Sequence, residues 1–180
     1  THMSNRKIAI IGGGLAGLHT AWRLQRAGLD WRLFEGRERL GGRVDSARAP
    51  DGALTGIDLG PSWFWPHQSR MQALLQSLSL PWFEQHTQGA ALFEQTPGHP
   101  PARSEGAGAA RSYRIAGGTS ALVSALAMAL DSERLHSGHR LERAVREVDQ
   151  WVLTLATGDG ERVVLADHLV LAVPPRLALG

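Results

Sequence analysis

Apolar and polar positions change period several times along the chain, and each change marks an element. Residues 8–11 (IAII) form a short apolar run closed by glycines, as a buried strand would be. Leu15, Leu18, Ala21, Trp22 and Leu24, with Gln25 beside them, then recur at helical spacing, and Gly28 follows where a left-handed residue ends a helix. Residues 29–34 return to an apolar strand ending at Glu35. A second amphipathic helix is expected over 69–78, with Met71, Leu74, Leu75 and Leu78 on its stripe and Ser69 as its cap. Thr119 is expected to cap a third, which lines up Leu122, Leu126 and Leu130.

The later part of the chain reads mainly as strands. A strand is expected over 135–141, with His136 and His139 pointing to opposite faces. Val145, Val148, Trp151, Leu153 and Leu155, a turn at Gly158-Asp159-Gly160 and a return over 163–165 have the alternation of a β meander. The continuous apolar run 169–173, closed by Pro174-Pro175, suits a strand buried on both faces of a parallel sheet. Between these regions a strand over 91–94 precedes 96–112 (TPGHPPARSEGAGAARS), whose Pro, Gly, Ala and Ser content predicts a mobile loop. The predicted class is α/β.

Composition narrows the function more than the fold. At 180 residues with 43% hydrophobic and 20% charged positions, the chain has enough apolar content for one substantial core. There is no cysteine, which removes disulfides, thiolate nucleophiles and cysteinyl metal or cofactor links within the chain, and is compatible with a reducing cytoplasm. No apolar run reaches the length of a membrane span, and the start has no signal-peptide pattern. Thr1-His2-Met3 reads as a tag remnant, with natural sequence expected from Met3. Lys7 is the only lysine; the arginines form no dense basic run interleaved with aromatics, so nucleic acid is not an expected partner. His19 reads as a helix-surface or packing residue, and His136 and His139 as no metal pair.

The chemistry begins in the first βα turn. Gly12, Gly14 and Gly17 have the G-x-G-x-x-G spacing, directly after a strand and at the start of a helix. Gly12 turns the chain out of the strand, Gly14 leaves room for a pyrophosphate against the backbone, and Gly17 lets helix and strand pack closely. The helix N-terminus faces the phosphates with free N–H groups. Glu35, eighteen residues past Gly17, stands where an acid accepts hydrogen bonds from a ribose. This is a dinucleotide-binding βαβ unit.

A second motif is more specific. Residues 39–46, RLGGRVDS, have the form R-x-G-G-R-x-x-S: paired glycines for a second close approach, and Arg39 and Arg43 as planar donors to phosphate oxygens. With this motif after the second strand, the chain resembles the flavin-containing amine oxidase superfamily. The resemblance continues in Asp58-Leu59-Gly60-Pro61-Ser62-Trp63, in the Gly117-Gly118 pair before a helix and in the Val-Pro step at 173–174. It implies a Rossmann-like FAD-binding domain with a three-stranded β meander and part of a substrate domain. The expected division is 1–65 for the FAD-binding βαβ unit and Gly-Gly motif, 66–112 for a partial substrate-domain excursion, and 113–180 for the return with the meander.

The resemblance also implies the site. Gly12, Gly14, Leu15, Ala16 and Gly17 would surround the pyrophosphate, Glu35 with neighbouring Gly36 the adenosine ribose, and Gly42 and Arg43 the phosphates. Gly60, Pro61, Ser62 and Trp63 would border the flavin, and Val145 would meet the adenine through its backbone. Trp63 stands where L-amino-acid oxidases of the superfamily carry a carboxylate-binding arginine, which favours an amine or apolar ring over an amino acid. The implied reaction is hydride transfer from an amine-bearing carbon to FAD, with O2 as acceptor and H2O2 as product. The lysine and aromatic residues that the superfamily uses around the flavin lie in a C-terminal half that this chain lacks, so no residue here takes a catalytic role. The chain is expected to be an N-terminal portion, completed by its missing half or by a second chain. A desaturase or protoporphyrinogen-oxidase-like enzyme, a nicotinamide-dependent dehydrogenase and a non-catalytic flavin-binding subunit are the alternatives.

Overall fold

A computed structural model describes residues 6–104 and 110–178. Strand β1 (Lys7–Ile11) enters helix α1 (Leu15–Arg26), and β2 (Asp30–Phe34) follows. The chain then runs through β3 (Ser46–Arg48), β4 (Leu54–Asp58), α2 (Ser69–Ser77), β5 (Trp82–Glu84), β6 (Ala91–Phe93), β7 (Ala102–Ser104), β8 (Tyr113–Ile115) and α3 (Thr119–Met128). It closes with β9 (Leu135–His136), β10 (Arg140–Glu147), β11 (Gln150–Thr157), β12 (Gly160–Ala166) and β13 (His168–Leu171).

The central sheet is parallel, in the order β13-β1-β2-β9. The chain steps from β1 outward to β2 and β9, then crosses back to place β13 on the other side of β1. In an open α/β sheet such a reversal opens a crevice beyond the carboxyl ends of the strands, where ligands bind. The crossover from β9 to β13 is the antiparallel meander β10-β11-β12.

Alternation along the strands sends side chains to two separate layers. Ile10, Trp31 and Leu33 pack against Leu18 and Ala21 of α1 and Leu122 and Leu126 of α3. Ala9, Ile11 and Phe34, from the same two strands, pack on Leu153, Leu155 and Ala166 of the meander. With both faces covered, β1 reads as an apolar run from Ile8 to Ile11, whereas β2 carries the exposed Arg32 between Trp31 and Leu33. Each fully buried leucine or phenylalanine contributes about 2 kcal/mol.

Helix α1 ends as its sequence predicts. Gly28 adopts φ 68° just past the last turn, its N–H bonds the Gln25 carbonyl, and the Leu29 N–H reaches back to Leu24. Five expectations need correction. Gln68, not Ser69, precedes α2, and no side chain caps that helix. Gly118 (φ 81°, ψ 172°) occupies the cap position of α3, displacing Thr119 by one residue, because the extended chain arriving from β8 must turn there through a conformation only glycine tolerates. The strand expected over 135–141 breaks after His136; the turn through Gly138 (φ 67°) brings the His136 and His139 rings together, centroids 5.4 Å apart, rather than to opposite faces. Strand β13 is an edge strand, and Leu171 stays 47% exposed, so it is not buried on both faces. Finally, part of the predicted mobile loop is β7, paired antiparallel with β6; residues 105–109 of that loop lie outside the described residues. Strands β3, β4 and β5 had no periodic signal because each is short and half-exposed.

Candidate functional site

The site lies where β1 gives way to α1, at the carboxyl end of the sheet. Gly12 has φ 108°, and a Cβ there would stand 2.6 Å from the Ala172 carbonyl oxygen, against the chain leaving β13. A Cβ on Gly17 would overlap the Gly12 carbonyl oxygen. Both glycines are therefore demanded by packing within the chain. Gly14 is different: an added Cβ would meet nothing nearer than 3.9 Å, and its backbone is extended rather than left-handed (φ −74°, ψ 179°). No side chain caps α1 and no acid stands in its first turn, which leaves the positive end of the helix open beside Gly14, with Leu15 half-buried and Ala16 exposed.

The second motif forms the facing wall. The Gly41 N–H donates to the Gly13 carbonyl (2.8 Å), and Gly14 and Gly41 form a parallel bridge that joins the two glycine loops. Gly41 (φ 109°) and Gly42 (φ 61°) are both left-handed, and a Cβ on Gly42 would come within 3.2 Å of the Gly14 Cα. The two arginines have separate roles. Arg39 turns inward, donates to the carbonyls of Leu40, Gly42 and Val44 and pairs with Asp45 at 3.2 Å, so it braces the loop rather than offering a free donor. Arg43 is exposed and makes no hydrogen bond or ion pair among the described residues. Ser46, the motif's last residue, is buried and donates to the Ser120 hydroxyl at 2.7 Å, anchoring the loop to α3.

Glu35 sits at the carboxyl end of β2 and is tied on both sides. Its carboxylate accepts from the Gly13 N–H (2.6 Å) and the Arg37 N–H (2.9 Å). Its own N–H donates to the His136 carbonyl, and its carbonyl accepts from the His139 N–H. The acid thus stands against the glycine loop. Gly36 packs on Arg140, where a Cβ would stand 3.3 Å from the arginine side chain. Burial, then His139, then Arg162 and Arg32 hold the His136 imidazole below its ordinary pKa, and its ring stacks on Phe34 at 5.0 Å. His19 stacks on Trp22 instead, its pKa lowered by burial and by Arg23.

The segment at 58–65 sorts its aromatics. Phe64 is buried against Trp82 and Tyr113 and pairs with Tyr113 through the backbone, whereas Trp63 is 53% exposed. Gly60 lies so close to the loop that a Cβ would overlap the Arg43 carbonyl oxygen. Ser62 donates to the Gly60 carbonyl, and Pro61 accepts from the Thr119 hydroxyl at 2.9 Å. Sequence reading missed the residue that holds this segment, Asp58. Its side chain is 1% exposed and accepts from the Thr119 N–H and hydroxyl, each at 2.7 Å, and from Arg114 at 3.3 Å. A buried acid that caps a helix from another element leaves only one trace in sequence, an Asp at the end of an otherwise apolar stretch. Val145 lies in the meander, half-buried and opposite Val152.

The arrangement fits an FAD diphosphate and adenosine on grounds internal to the chain. The space beside Gly14 is a cradle that a Cβ would fill and that the fold itself does not need, bounded by an open helix N-terminus, an unpaired guanidinium and an oriented carboxylate. The fold and this crevice define a dinucleotide-binding α/β protein.

Comparison with known proteins carries this further. The family model for an NAD(P)-binding Rossmann-like domain matches residues 10–78, and that for flavin-containing amine oxidoreductases matches 92–179. Over these two stretches the chain is similar to flavin-containing amine oxidases. Putrescine oxidase of Kocuria rosea is 33% identical over 88 residues, 49% of this chain and 18% of that protein. Protoporphyrinogen oxidase of Bos taurus is 43% identical over 63 residues, 34% of this chain and 13% of that protein. A putrescine oxidase redesigned in its cofactor binding shares the fold with a TM-score of 0.80 at 19% identity, over 96% of this chain and 58% of that one. The chain thus spans only part of the proteins it resembles. No helix among the described residues is long and apolar enough to cross a membrane.

Proposed function

We propose that the chain forms the FAD-binding portion of an amine oxidase. The observation that carries this reading is the open cradle at Gly14, set between the two glycine loops. Gly14, Leu15, Ala16 and Gly17 hold the pyrophosphate through backbone N–H groups, while Gly12, whose N–H donates to the Phe34 carbonyl, turns the chain beneath it; Gly42 and Arg43 close over it. Glu35, with Gly36 beside it, accepts hydrogen bonds from the adenosine ribose, and the Val145 backbone meets the adenine. The stretch Gly60-Pro61-Ser62-Trp63 borders the flavin. Trp63 offers a neutral aromatic wall, which suits an amine without a carboxylate. When bound, the flavin accepts a hydride from the amine-bearing carbon and passes the electrons to O2, giving H2O2. The groups that flank the substrate come from a second chain or from sequence beyond this one.

Replacement of Glu35 tests the assignment. The Glu35→Ala variant is expected to retain FAD about tenfold less tightly, since a ribose partner is lost and the Gly13 N–H is freed. Fluorescence titration of the apoprotein with FAD reads this directly, and unchanged affinity would remove Glu35 from the site. A protein that takes up nicotinamide dinucleotide but no flavin would overturn the whole reading. The relation to protoporphyrinogen oxidase supports a second reading, an oxidase acting on carbon–carbon bonds. Peroxide formed with porphyrinogens and none with amines, in the completed protein, would select it.

A further inference from the structure

The backbone of Glu35 is held by the turn that follows β9. The Glu35 N–H donates to the His136 carbonyl and the His139 N–H to the Glu35 carbonyl, each at 2.8 Å, and the Gly138 N–H donates to the Arg37 carbonyl at 2.9 Å. These bonds clasp residues 35–37 to residues 136–139. The carboxylate that meets the Gly13 N–H therefore projects from a main chain fixed by two histidines.

The clasp rests on an aromatic stack. The His136 ring lies nearly parallel to Phe34, centroids 5.0 Å apart at 15°, and the His139 ring tilts against both, 5.4 Å from His136 and 6.0 Å from Phe34. His139 Nδ1 donates to the Ser137 carbonyl at 2.7 Å, whereas His136 Nε2 is buried and has no hydrogen-bond partner. In a neutral ring that nitrogen hides only a lone pair. An imidazolium carries N–H on both nitrogens, so a charged His136 would bury a donor without an acceptor. The surrounding charges act in the same sense. Burial, then His139 from the same turn, Arg162 from β12 and Arg32 from β2 all disfavour the charged ring. The neighbouring acids are placed elsewhere: Glu35 on the N–H groups of Gly13 and Arg37, Glu38 beside Gly138, and Glu142 on Arg140 at 2.7 Å.

We propose that His136 is a positioning residue that makes FAD retention depend on pH: neutral, it keeps the turn clasped to Glu35, and protonated, it leaves its seat on Phe34 and releases Glu35 from the ribose. This rests on the reading of Glu35 as a cofactor ligand and adds a control to it. Because the clasped state favours the neutral ring, the clasp is complete above the ordinary histidine pKa of about 6.5 and is lost as pH falls below that value.

Fluorescence titration of the full chain with FAD at about pH 7.5 and about pH 5.5 tests this, with about tenfold weaker binding expected at the lower pH. His136→Phe keeps an aromatic ring on Phe34 and the carbonyl that Glu35 uses, and is expected to bind FAD equally at both pH values. A parent without pH dependence, or a dependence that survives in His136→Phe, would overturn the proposal. Amide hydrogen exchange on the parent without FAD decides the same point if the variant does not fold. Corrected for its intrinsic pH dependence, protection of the Glu35 and His139 amides is expected to fall at the lower pH while that of Gly12, bonded to the Phe34 carbonyl, holds. Unchanged protection, or a loss that includes Gly12, would also overturn it. Absence of FAD binding at either pH would defeat the cofactor reading alone, because exchange on the free chain still decides the clasp.

Discussion

Gly17 and Gly14 stand three residues apart in one motif and answer to different demands. Behind Gly17 is the Gly12 carbonyl, so the protein's own backbone forbids a side chain. Around Gly14 there is ordinary van der Waals distance or open space, and its dihedrals suit any residue. One glycine is explained by folding and the other by something the fold does not contain. The same division runs through the second motif, where Arg39 is spent on loop carbonyls and Asp45 while Arg43 points free. A motif written as one string is thus two sets of residues, an inner one that builds the crevice and an outer one that faces its occupant.

The largest effect is expected on the inner side. Gly17→Ala drives a methyl into the Gly12 carbonyl and should cost about 3 kcal/mol, measured by urea denaturation, with flavin binding lost as a consequence. A stable Gly17→Ala would erase the distinction. On the outer side, Gly14→Ala should leave the unfolding free energy within about 0.5 kcal/mol of the parent while weakening FAD binding roughly a hundredfold, because the methyl occupies the pyrophosphate's approach. Loss of stability without loss of affinity would show that Gly14 belongs with Gly17.

That division also explains what could be read in advance. The strand, glycine turn and helix at 7–26 were legible because local pattern and tertiary demand agree there, and because glycine spacing encodes both packing and approach. Gly28 was legible for the same reason, as a left-handed position just past a helix. The pairing of β6 with β7 was hidden, since three-residue strands with Leu92 and Phe93 exposed carry no alternation between a core and solvent. The meeting of His136 with His139 depended on a strand ending after two residues, and the inward role of Arg39 on three carbonyls of its own loop. Partners of that kind are set by tertiary geometry and leave no period in the sequence.

Asp58 sharpens the comparison from the polar side. It belongs to the inner set, since its carboxylate is buried and ties β4 to the start of α3. Asp58→Asn removes the charge from three hydrogen bonds and should cost about 2 kcal/mol, read from the denaturation midpoint. Its effect on FAD should be smaller than that of Gly14→Ala at temperatures where both are folded. An Asn variant as stable as the parent would mean that the segment from Gly60 to Trp63 is held by packing alone.

Ser79 reverses the case of Gly14. Here a residue with a side chain occupies a left-handed position, φ 54°, directly after α2. The backbone closes as it does at Gly28: the Ser79 N–H bonds the Gln76 carbonyl, and the Leu80 N–H reaches Leu75. An L-residue with a Cβ pays for that conformation, whereas glycine adopts it freely. Ser79→Gly should therefore raise stability by about 0.5 kcal/mol, seen as a small upward shift in Tm, with FAD affinity unchanged. The gain is modest because glycine also has more freedom to lose from the unfolded chain. If the variant is instead destabilised, the serine side chain stabilises this turn by more than its backbone strain costs, and positive φ alone would no longer explain the glycine at position 28.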